Sequence, residues 1–170
     1  MEQRTTEQNK IRIRQAKPEE ARLLGEIEKH CFPPAEAAPM EEIIKRMQVF
    51  PENFLVAEWQ ERIVGFINGG TADEPRLPDE MYHDLSLHRP KGAYQTVFGL
   101  NVLPVYRRNG IATALVKAFI QLARQRKKAG MVLTCKEHLI PFYESCGFEN
   151  YGKADSSHGG AVWYDMRILF

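Results

Sequence analysis

The sequence lacks the hallmarks of several protein classes. It has only three cysteines, at positions 31, 135 and 146, and an odd number at such wide spacing predicts neither a disulfide framework nor a zinc site. We therefore expect a reducing compartment, the cytoplasm, and no bound metal. No apolar run reaches the length of a membrane span, and the first residues, MEQRTTEQNK, carry no signal-peptide core.

An excess of charge of one sign is also missing. The net charge is +1, so no global field favours nucleic acid as a partner. The 170 residues are 44% hydrophobic and 26% charged, values typical of a water-exposed globular chain with one sizeable core. We predict a polar tail at residues 1–10 and one domain over residues 11–170.

Hydrophobic periodicity and turn residues predict alternating strands and helices in the order β-α-α-β-β-β-α-β-α-β-β. This order predicts an α/β fold. The predicted strands are 11–14, 54–59, 62–69, 97–103, 131–134, 148–152 and 161–169, and the predicted helices are 18–31, 40–47, 111–129 and 137–145.

The connection 71–92 is long, polar and broken by Pro75, Pro78 and Pro90. So long a connection in a compact domain is usually either functional or mobile. The alternative is a solvated loop with one helical turn near residues 79–85. The sequence leaves both interpretations open.

A strand, a basic glycine turn and a helix follow one another in residues 97–122. Unpaired backbone N–H groups and the positive end of the helix dipole favour an anion at a helix N-terminus. Arg107 and Arg108 add charge-assisted hydrogen bonds. The turn is therefore predicted to bind the phosphates of a ligand.

Two short motifs resemble those of the GNAT superfamily of N-acetyltransferases. The first is Arg107-x-x-Gly110-x-Ala112, which resembles the pyrophosphate loop of that superfamily. The second is residues 140–148, IPFYESCGF, where Tyr143 is followed by a Gly-Phe pair. Within the superfamily, segments 73–77, 86–92 and 139–144 resemble the arylalkylamine (serotonin) N-acetyltransferases.

The resemblance implies a GNAT acyl-CoA N-acyltransferase fold, a single domain with a central mixed β-sheet flanked by helices. It implies acetyl-CoA as the donor, a primary amine as the acceptor and Tyr143 as the acid that protonates the departing thiolate. Backbone groups of the strand would hold the pantetheine arm and polarise the acetyl carbonyl. The coenzyme-binding residues would be Leu100, Asn101, Val102, Arg107, Arg108, Asn109, Gly110, Ile111, Ala112, Thr113 and Tyr143.

One departure from that family concerns the base. Two histidines lie on the central strand of the family, and Thr96 and Phe98 occupy the matching positions here. An alkylamine is mostly protonated at neutral pH and must lose a proton before it attacks. His158, in a polar, glycine-flanked loop, is the predicted base, since an isolated imidazole titrates at about pH 6.5. A chain of water molecules is the alternative.

The acceptor pocket is predicted to contain Phe32, Phe98 and His158, which favours a small aromatic or apolar amine. Two other functions stay open at this point. The chain could be an acetyl-CoA-binding regulatory module with little catalysis, or it could acetylate protein or peptide amines. The sequence indicates a monomer or a homodimer, without nucleic acid or membrane as a partner.

Overall fold

The computed structural model describes residues 10–170, so the predicted tail lies outside the described residues except for Lys10. The helices and strands of this part of the chain alternate largely as predicted. The helices are α1 (Ala21–Cys31), α2 (Met40–Val49), α3 (Ile111–Gln125) and α4 (Ile140–Ser145), and the strands are β1 (Arg12–Gln15), β2 (Phe54–Trp59), β3 (Arg62–Asn68), β4 (Thr71–Ala72), β5 (Tyr94–Thr96), β6 (Gly99–Val102), β7 (Gly130–Cys135), β8 (Glu149–Lys153) and β9 (Tyr164–Leu169).

The chain divides into two compact units. The first unit comprises described residues 10–68 and 99–118, and the second comprises residues 69–98 and 119–170. Because the chain enters and leaves each unit more than once, neither unit is a contiguous segment of the sequence.

The first unit contains a four-stranded antiparallel sheet in the order β1-β2-β3-β6. The rings of Phe50, Phe54 and Phe66 stack in its core, with centroids 6.1 and 6.2 Å apart. Gln60 and Glu61 join β2 to β3 with φ angles of 54° and 64°. Two positive φ values are what a two-residue hairpin turn requires, so the predicted hairpin is confirmed without an Asn-Gly pair.

Helices α1 and α2 pack closely in the first unit. A Cβ at Gly25 would come within 2.3 Å of the Met40 sulfur, so a larger residue there would force the Met40 side chain to move. Leu24 and Ile27 lie buried on the inner face of α1, and a carboxylate, Glu28, lies buried with them. A charged group in this apolar stripe is the first sign of a polar cluster in the core.

The second unit contains a five-stranded mixed sheet in the order β4-β5-β7-β9-β8. Strands β5 and β7 are parallel, and the other pairs are antiparallel. Its core includes Met131, Val132, Leu133, Phe148 and Met166. The α/β fold is therefore as predicted, but it contains two sheets instead of one central sheet.

The predicted single strand 97–103 was wrong in its bounds, because the chain forms two strands there. Strand β5 pairs with β7, and Val97 extends this pairing through its N–H to the Val132 carbonyl at 3.1 Å. Strand β6 begins at Gly99 and pairs with β3. The apolar run continues through both strands, and hydrophobicity carries no information about a change of partner.

Connection 71–92 is packed against its unit. It forms strand β4 and two 3-10 turns, Asp79–Tyr82 and Leu85–Leu87. Leu77 and Met81 are buried in one cluster with Ala72 and Val132. The predicted helical turn is present, but the interpretation as a purely solvated loop was wrong.

Candidate active site

The phosphate-binding turn is held by its own side chains. Nε of Arg107 donates to the Val102 carbonyl at 3.0 Å. The amide of Asn109 donates to the carbonyls of Tyr106 and Arg107 at 3.0 and 3.2 Å. Arg107 and Asn109 therefore shape the turn, which leaves its backbone to meet a ligand.

The backbone of the turn is suited to an anion. Arg108 and Gly110 have φ angles of 66° and 77°, a conformation that turns successive N–H groups to one side. The first hydrogen bond of α3 runs from the Ala114 N–H to the Gly110 carbonyl at 3.0 Å. The N–H groups before Ala114 therefore lie at the positive end of a helix.

The turn is open around Gly110. A Cβ at Gly110 would meet no other heavy atom within 4 Å, so glycine is favoured there by its φ and not by close packing. The Arg108 residue is exposed and adds a second positive charge. The residues that are present thus fit the predicted pyrophosphate of acetyl-CoA.

Strand β6 is the edge strand of its sheet. The Leu103 N–H donates to the Val64 carbonyl of β3 at 2.9 Å. Along a strand, the N–H and C=O groups of successive residues point alternately toward one neighbouring strand and away from it. The N–H groups of Leu100 and Val102 therefore point away from β3, as the predicted coenzyme contacts require. The backbone of Asn101 points toward β3 instead, so its predicted coenzyme contact is not available through that backbone.

Tyr143 lies on α4 in the second unit and is buried. Its ring packs edge-on against Phe142 and Phe148, with centroids 5.0 and 5.8 Å away. Burial raises the pKa of the Tyr143 phenol above its ordinary value, with the thiols of Cys135 and Cys146 adding to the effect. The phenol therefore keeps its proton through neutral pH and can donate a hydrogen bond.

The same burial argues against a thiol nucleophile. Desolvation raises the pKa of the Cys135 thiol to about 12, so its nucleophilic thiolate form is scarce at neutral pH. All three cysteines are free thiols. Direct acyl transfer, which needs no covalent enzyme intermediate, agrees with this chemistry.

Phe98 and His158, which were predicted separately for the acceptor pocket, lie on either side of one ring in the second unit. That ring belongs to Tyr82, and its centroid is 5.1 Å from the ring of Phe98 and 5.5 Å from the ring of His158. The rings of Tyr82 and His158 are nearly parallel, at 8°, and Trp163 lies 6.0 Å beyond His158. We call Tyr82, Phe98, His158 and Trp163 the aromatic cluster.

The loop that carries His158 is fixed in position. Ser156 Oγ and the Ser157 N–H donate to the two carboxylate oxygens of Asp79, at 2.6 and 3.2 Å. Nε1 of Trp163 donates to the His158 carbonyl at 2.7 Å. Asp79 thus ties this loop to the 71–92 connection.

Phe32 and Phe98 lie in different units, at the end of α1 and directly after β5 respectively. Both are half-buried. The structure brings Phe98 and His158 into one cluster, and it places Phe32 in the unit that also carries the phosphate-binding turn.

Sequence reasoning missed a buried polar cluster in the first unit. Glu28, Arg46, Asn68 and Asn101 are each at most 4% exposed, and we call them the Glu28 cluster. Nη1 of Arg46 donates to Asn68 Oδ1 at 3.1 Å, and the Ala38 N–H donates to Glu28 Oε2 at 3.0 Å. The signal was available, because Glu28 follows Leu24 by four residues on the apolar face of α1.

Within residues 10–170, no group of three or more histidine, cysteine, aspartate or glutamate side chains is arranged to hold a metal ion. None of the helices described combines the length and apolar character that crossing a bilayer would demand.

Comparison with known proteins agrees with this geometry. The sequence model of the acetyltransferase (GNAT) family matches residues 21–148. The chain belongs to this family. The predicted fold and the predicted class of enzyme, an acetyl-CoA-dependent N-acetyltransferase, are thereby confirmed.

Curated relatives include serotonin N-acetyltransferases. Those of Mesocricetus auratus and Macaca mulatta are 29% and 32% identical to this chain, over 88% of its length and 73% and 74% of theirs. The resemblance read from the motifs is thus confirmed at the level of sequence.

Solved structures share the fold. The loading GNATL domain of CurA from Lyngbya majuscula aligns with a TM-score of 0.81 at 18% identity, over 95% of this chain and 98% of that domain. YncA of Salmonella typhimurium, solved with acetyl-CoA, aligns with a TM-score of 0.70 at 18% identity, over 95% of this chain and 94% of that one.

Proposed function

We propose that the enzyme moves the acetyl group of acetyl-CoA to a small primary amine that carries an aromatic or apolar group. The aromatic cluster carries this proposal. The four rings pack against one another with centroids 5.1 to 6.0 Å apart. Each of the four residues is half-buried, and an aromatic ligand packs favourably on the face or edge of an accessible ring. Serotonin, the acceptor named for the curated relatives, is an arylalkylamine of this kind.

The donor is assigned to the turn and the edge strand. Backbone N–H groups of residues 108–113 would bind the pyrophosphate, while Arg107 holds the turn through the Val102 carbonyl. The outward N–H groups of Leu100 and Val102 would bind the pantetheine arm and polarise the acetyl carbonyl. Acetyl-CoA supplies an activated thioester, so the protein has only to orient it, to allow the amine to lose its proton and to stabilise the departing thiolate.

Tyr143 is assigned the role of acid. The buried phenol stays protonated at neutral pH, so its O–H can donate a hydrogen bond to the thiolate that develops as CoA leaves. His158 is proposed as a wall of the acceptor pocket, because its ring stacks on Tyr82. Its predicted role as the base stays a prediction.

The compartment is proposed to be the cytoplasm, because all three thiols are free and cytosolic glutathione keeps thiols reduced.

Release of free CoA from acetyl-CoA over a panel of acceptors tests the function. The panel contains arylalkylamines, alkylamines and peptides with a free N-terminus or lysine. We expect release with the small amines, fastest with the aromatic ones. Binding of acetyl-CoA without release above background would instead identify a regulatory module, and release with peptides alone would identify a protein acetyltransferase.

A further inference from the structure

One carboxylate in the second unit joins two segments that lie far apart in the sequence. Asp79 accepts a hydrogen bond from Ser156 Oγ at 2.6 Å on one oxygen and from the Ser157 N–H at 3.2 Å on the other. These donors lie 77 and 78 positions away along the chain. Hydrogen bonds to a charged acceptor are stronger than those between neutral groups. Asp79 therefore joins connection 71–92 to the loop that carries His158.

The turn that carries Asp79 is anchored in the core of its unit. Asp79 is the first residue of the 3-10 turn Asp79–Tyr82. Leu77, two residues before Asp79, and Met81, two residues after it, are 6% and 5% exposed and pack in one cluster with Val132 of β7. The carboxylate is therefore presented from a well-packed part of the connection.

The loop that donates these hydrogen bonds is exposed and rich in glycine. Most of residues 155–160 are exposed. Gly159 and Gly160 have φ angles of 64° and 72°, and glycine loses more conformational freedom on folding than other residues do. The Gly160 N–H donates to the Ser157 carbonyl at 2.8 Å, but a bond within the loop does not hold it against the connection. The bonds to Asp79 do.

The same turn also provides the ring on which His158 packs. Tyr82 follows Asp79 by three residues, and its ring is inclined by 8° to the His158 ring at a centroid distance of 5.5 Å. The Tyr82 hydroxyl forms a hydrogen bond of 3.2 Å with Thr134 Oγ1 on β7. The Ser156 hydroxyl that binds Asp79 also accepts from the His158 N–H at 3.4 Å. Asp79 thus holds the backbone beside His158, and Tyr82 supports its imidazole.

We propose that Asp79 is a positioning residue for the acceptor amine. It holds the imidazole of His158 on Tyr82 and so completes the surface that selects aromatic acceptors. Asp79 acts through the loop and does not touch the acceptor. This proposal rests on the proposed acetyl transfer and on the aromatic cluster as its acceptor site, and it gives connection 71–92 a function in the choice of substrate.

The test compares Asp79→Ala with Asp84→Ala, a matched control in the same connection. Asp84 also accepts from a serine hydroxyl and a serine N–H, but both belong to Ser86, two residues away. Asp84→Ala therefore removes bonds of the same kind without releasing the loop of His158. Phenethylamine and cyclohexylethylamine serve as acceptors, and release of free CoA measures the rate.

In Asp79→Ala, we expect the KM for phenethylamine to rise about threefold to tenfold, because the acceptor ring loses one aromatic surface. The preference for phenethylamine over cyclohexylethylamine should fall, while kcat at saturating amine and the KM for acetyl-CoA stay at their wild-type values. Asp84→Ala should keep the wild-type preference. An unchanged preference in Asp79→Ala, or an equal loss in Asp84→Ala, would overturn the proposal.

Proton NMR of the histidine rings gives a second measurement, which does not depend on turnover. Stacking on Tyr82 shifts the ring-proton signals of His158 through the ring current, and His158→Ala identifies these signals among the five histidines. They should move toward the position of an exposed histidine in Asp79→Ala and stay in place in Asp84→Ala. Signals that stay in place in both variants would show that Asp79 does not hold the ring, which would overturn the proposal.

Asp79→Asn replaces Asp79→Ala if the latter does not fold. Its amide keeps one oxygen for the Ser156 hydroxyl but offers no second acceptor to the Ser157 N–H, so it should show the same changes to a smaller extent. An Asp79→Asn variant with wild-type preference and wild-type His158 signals would likewise overturn the proposal.

The wild type separates this proposal from the proposed function. Wild-type enzyme that acetylates both amines equally well would overturn the proposal while leaving acetyl transfer intact. Wild-type enzyme that releases no CoA with any amine would refute the proposed function itself, and the NMR comparison would still decide whether Asp79 holds His158 on Tyr82.

Discussion

The phosphate-binding turn and the aromatic cluster are built in opposite ways. The turn is one continuous segment, residues 107–113, whose geometry comes from two positive φ angles and from short-range hydrogen bonds. The aromatic cluster takes its four rings from positions 82, 98, 158 and 163, which lie far apart in the sequence. The binding site for acetyl-CoA is therefore assigned to the backbone of one local segment. The binding site for the acceptor amine is assigned to side chains that only the fold brings together.

This difference has a functional consequence. Changes on the donor side should affect every acceptor equally, because all acceptors share acetyl-CoA. Changes in the aromatic cluster should instead alter the preference between acceptors. The three substitutions below, in order of decreasing effect, test this division.

Tyr143→Phe should cause the largest loss. Removing the phenol hydroxyl removes the proton for the leaving thiolate, so kcat should fall about 100-fold while the KM for acetyl-CoA changes little. The loss should be the same for aromatic and alkyl acceptors. Steady-state kinetics with both acceptors measure it.

Tyr151→Phe is the matched control for that substitution, since Tyr151 is 44% exposed and its ring packs under the Arg167 guanidinium, 4.5 Å from the ring centroid. It should keep wild-type turnover. Unchanged kcat in Tyr143→Phe would refute the assignment of Tyr143 as the acid.

Gly110→Ala should cause an intermediate loss. A side chain at a φ of 77° costs about 1–2 kcal/mol, and relief of this strain would turn the N–H groups away from the pyrophosphate. The KM for acetyl-CoA should rise about tenfold, equally for all acceptors, because the loss precedes any contact with the amine.

Gly152→Ala supplies the matched control. Gly152 also has a positive φ, 93°, and also leaves space for a Cβ, but it lies in β8. Both variants should lose similar stability in thermal unfolding, and only Gly110→Ala should weaken the binding of acetyl-CoA. Equal KM values in the two variants would mean that the turn does not bind the coenzyme.

The sequence predicted what depends on neighbouring residues. The helices, the hairpin at Gln60 and Glu61, and the basic glycine turn all follow from local patterns, and the structure has them. The exchange of partners between β5 and β6 was missed, because Val97, Phe98 and Gly99 continue one apolar run whose partners lie in distant segments.

The aromatic cluster and the Glu28 cluster likewise depend on residues that lie far apart in the sequence, which local patterns do not predict. Phe98 and His158 were selected one by one, but Tyr82, which joins them, carries no motif of its own. Glu28 was overlooked because a glutamate in a helix is ordinarily solvent-exposed, although its position four residues after the buried Leu24 places it on the apolar face of α1.

The most direct test of the central claim compares two acceptors of similar shape, phenethylamine and cyclohexylethylamine, in the wild type and in Phe98→Ala. If the aromatic cluster holds the acceptor ring, kcat/KM should favour phenethylamine in the wild type. An aromatic contact contributes about 0.5–1.5 kcal/mol, so Phe98→Ala should reduce that preference about threefold to tenfold without changing the KM for acetyl-CoA. A preference that is absent in the wild type, or identical in the two proteins, would contradict the account.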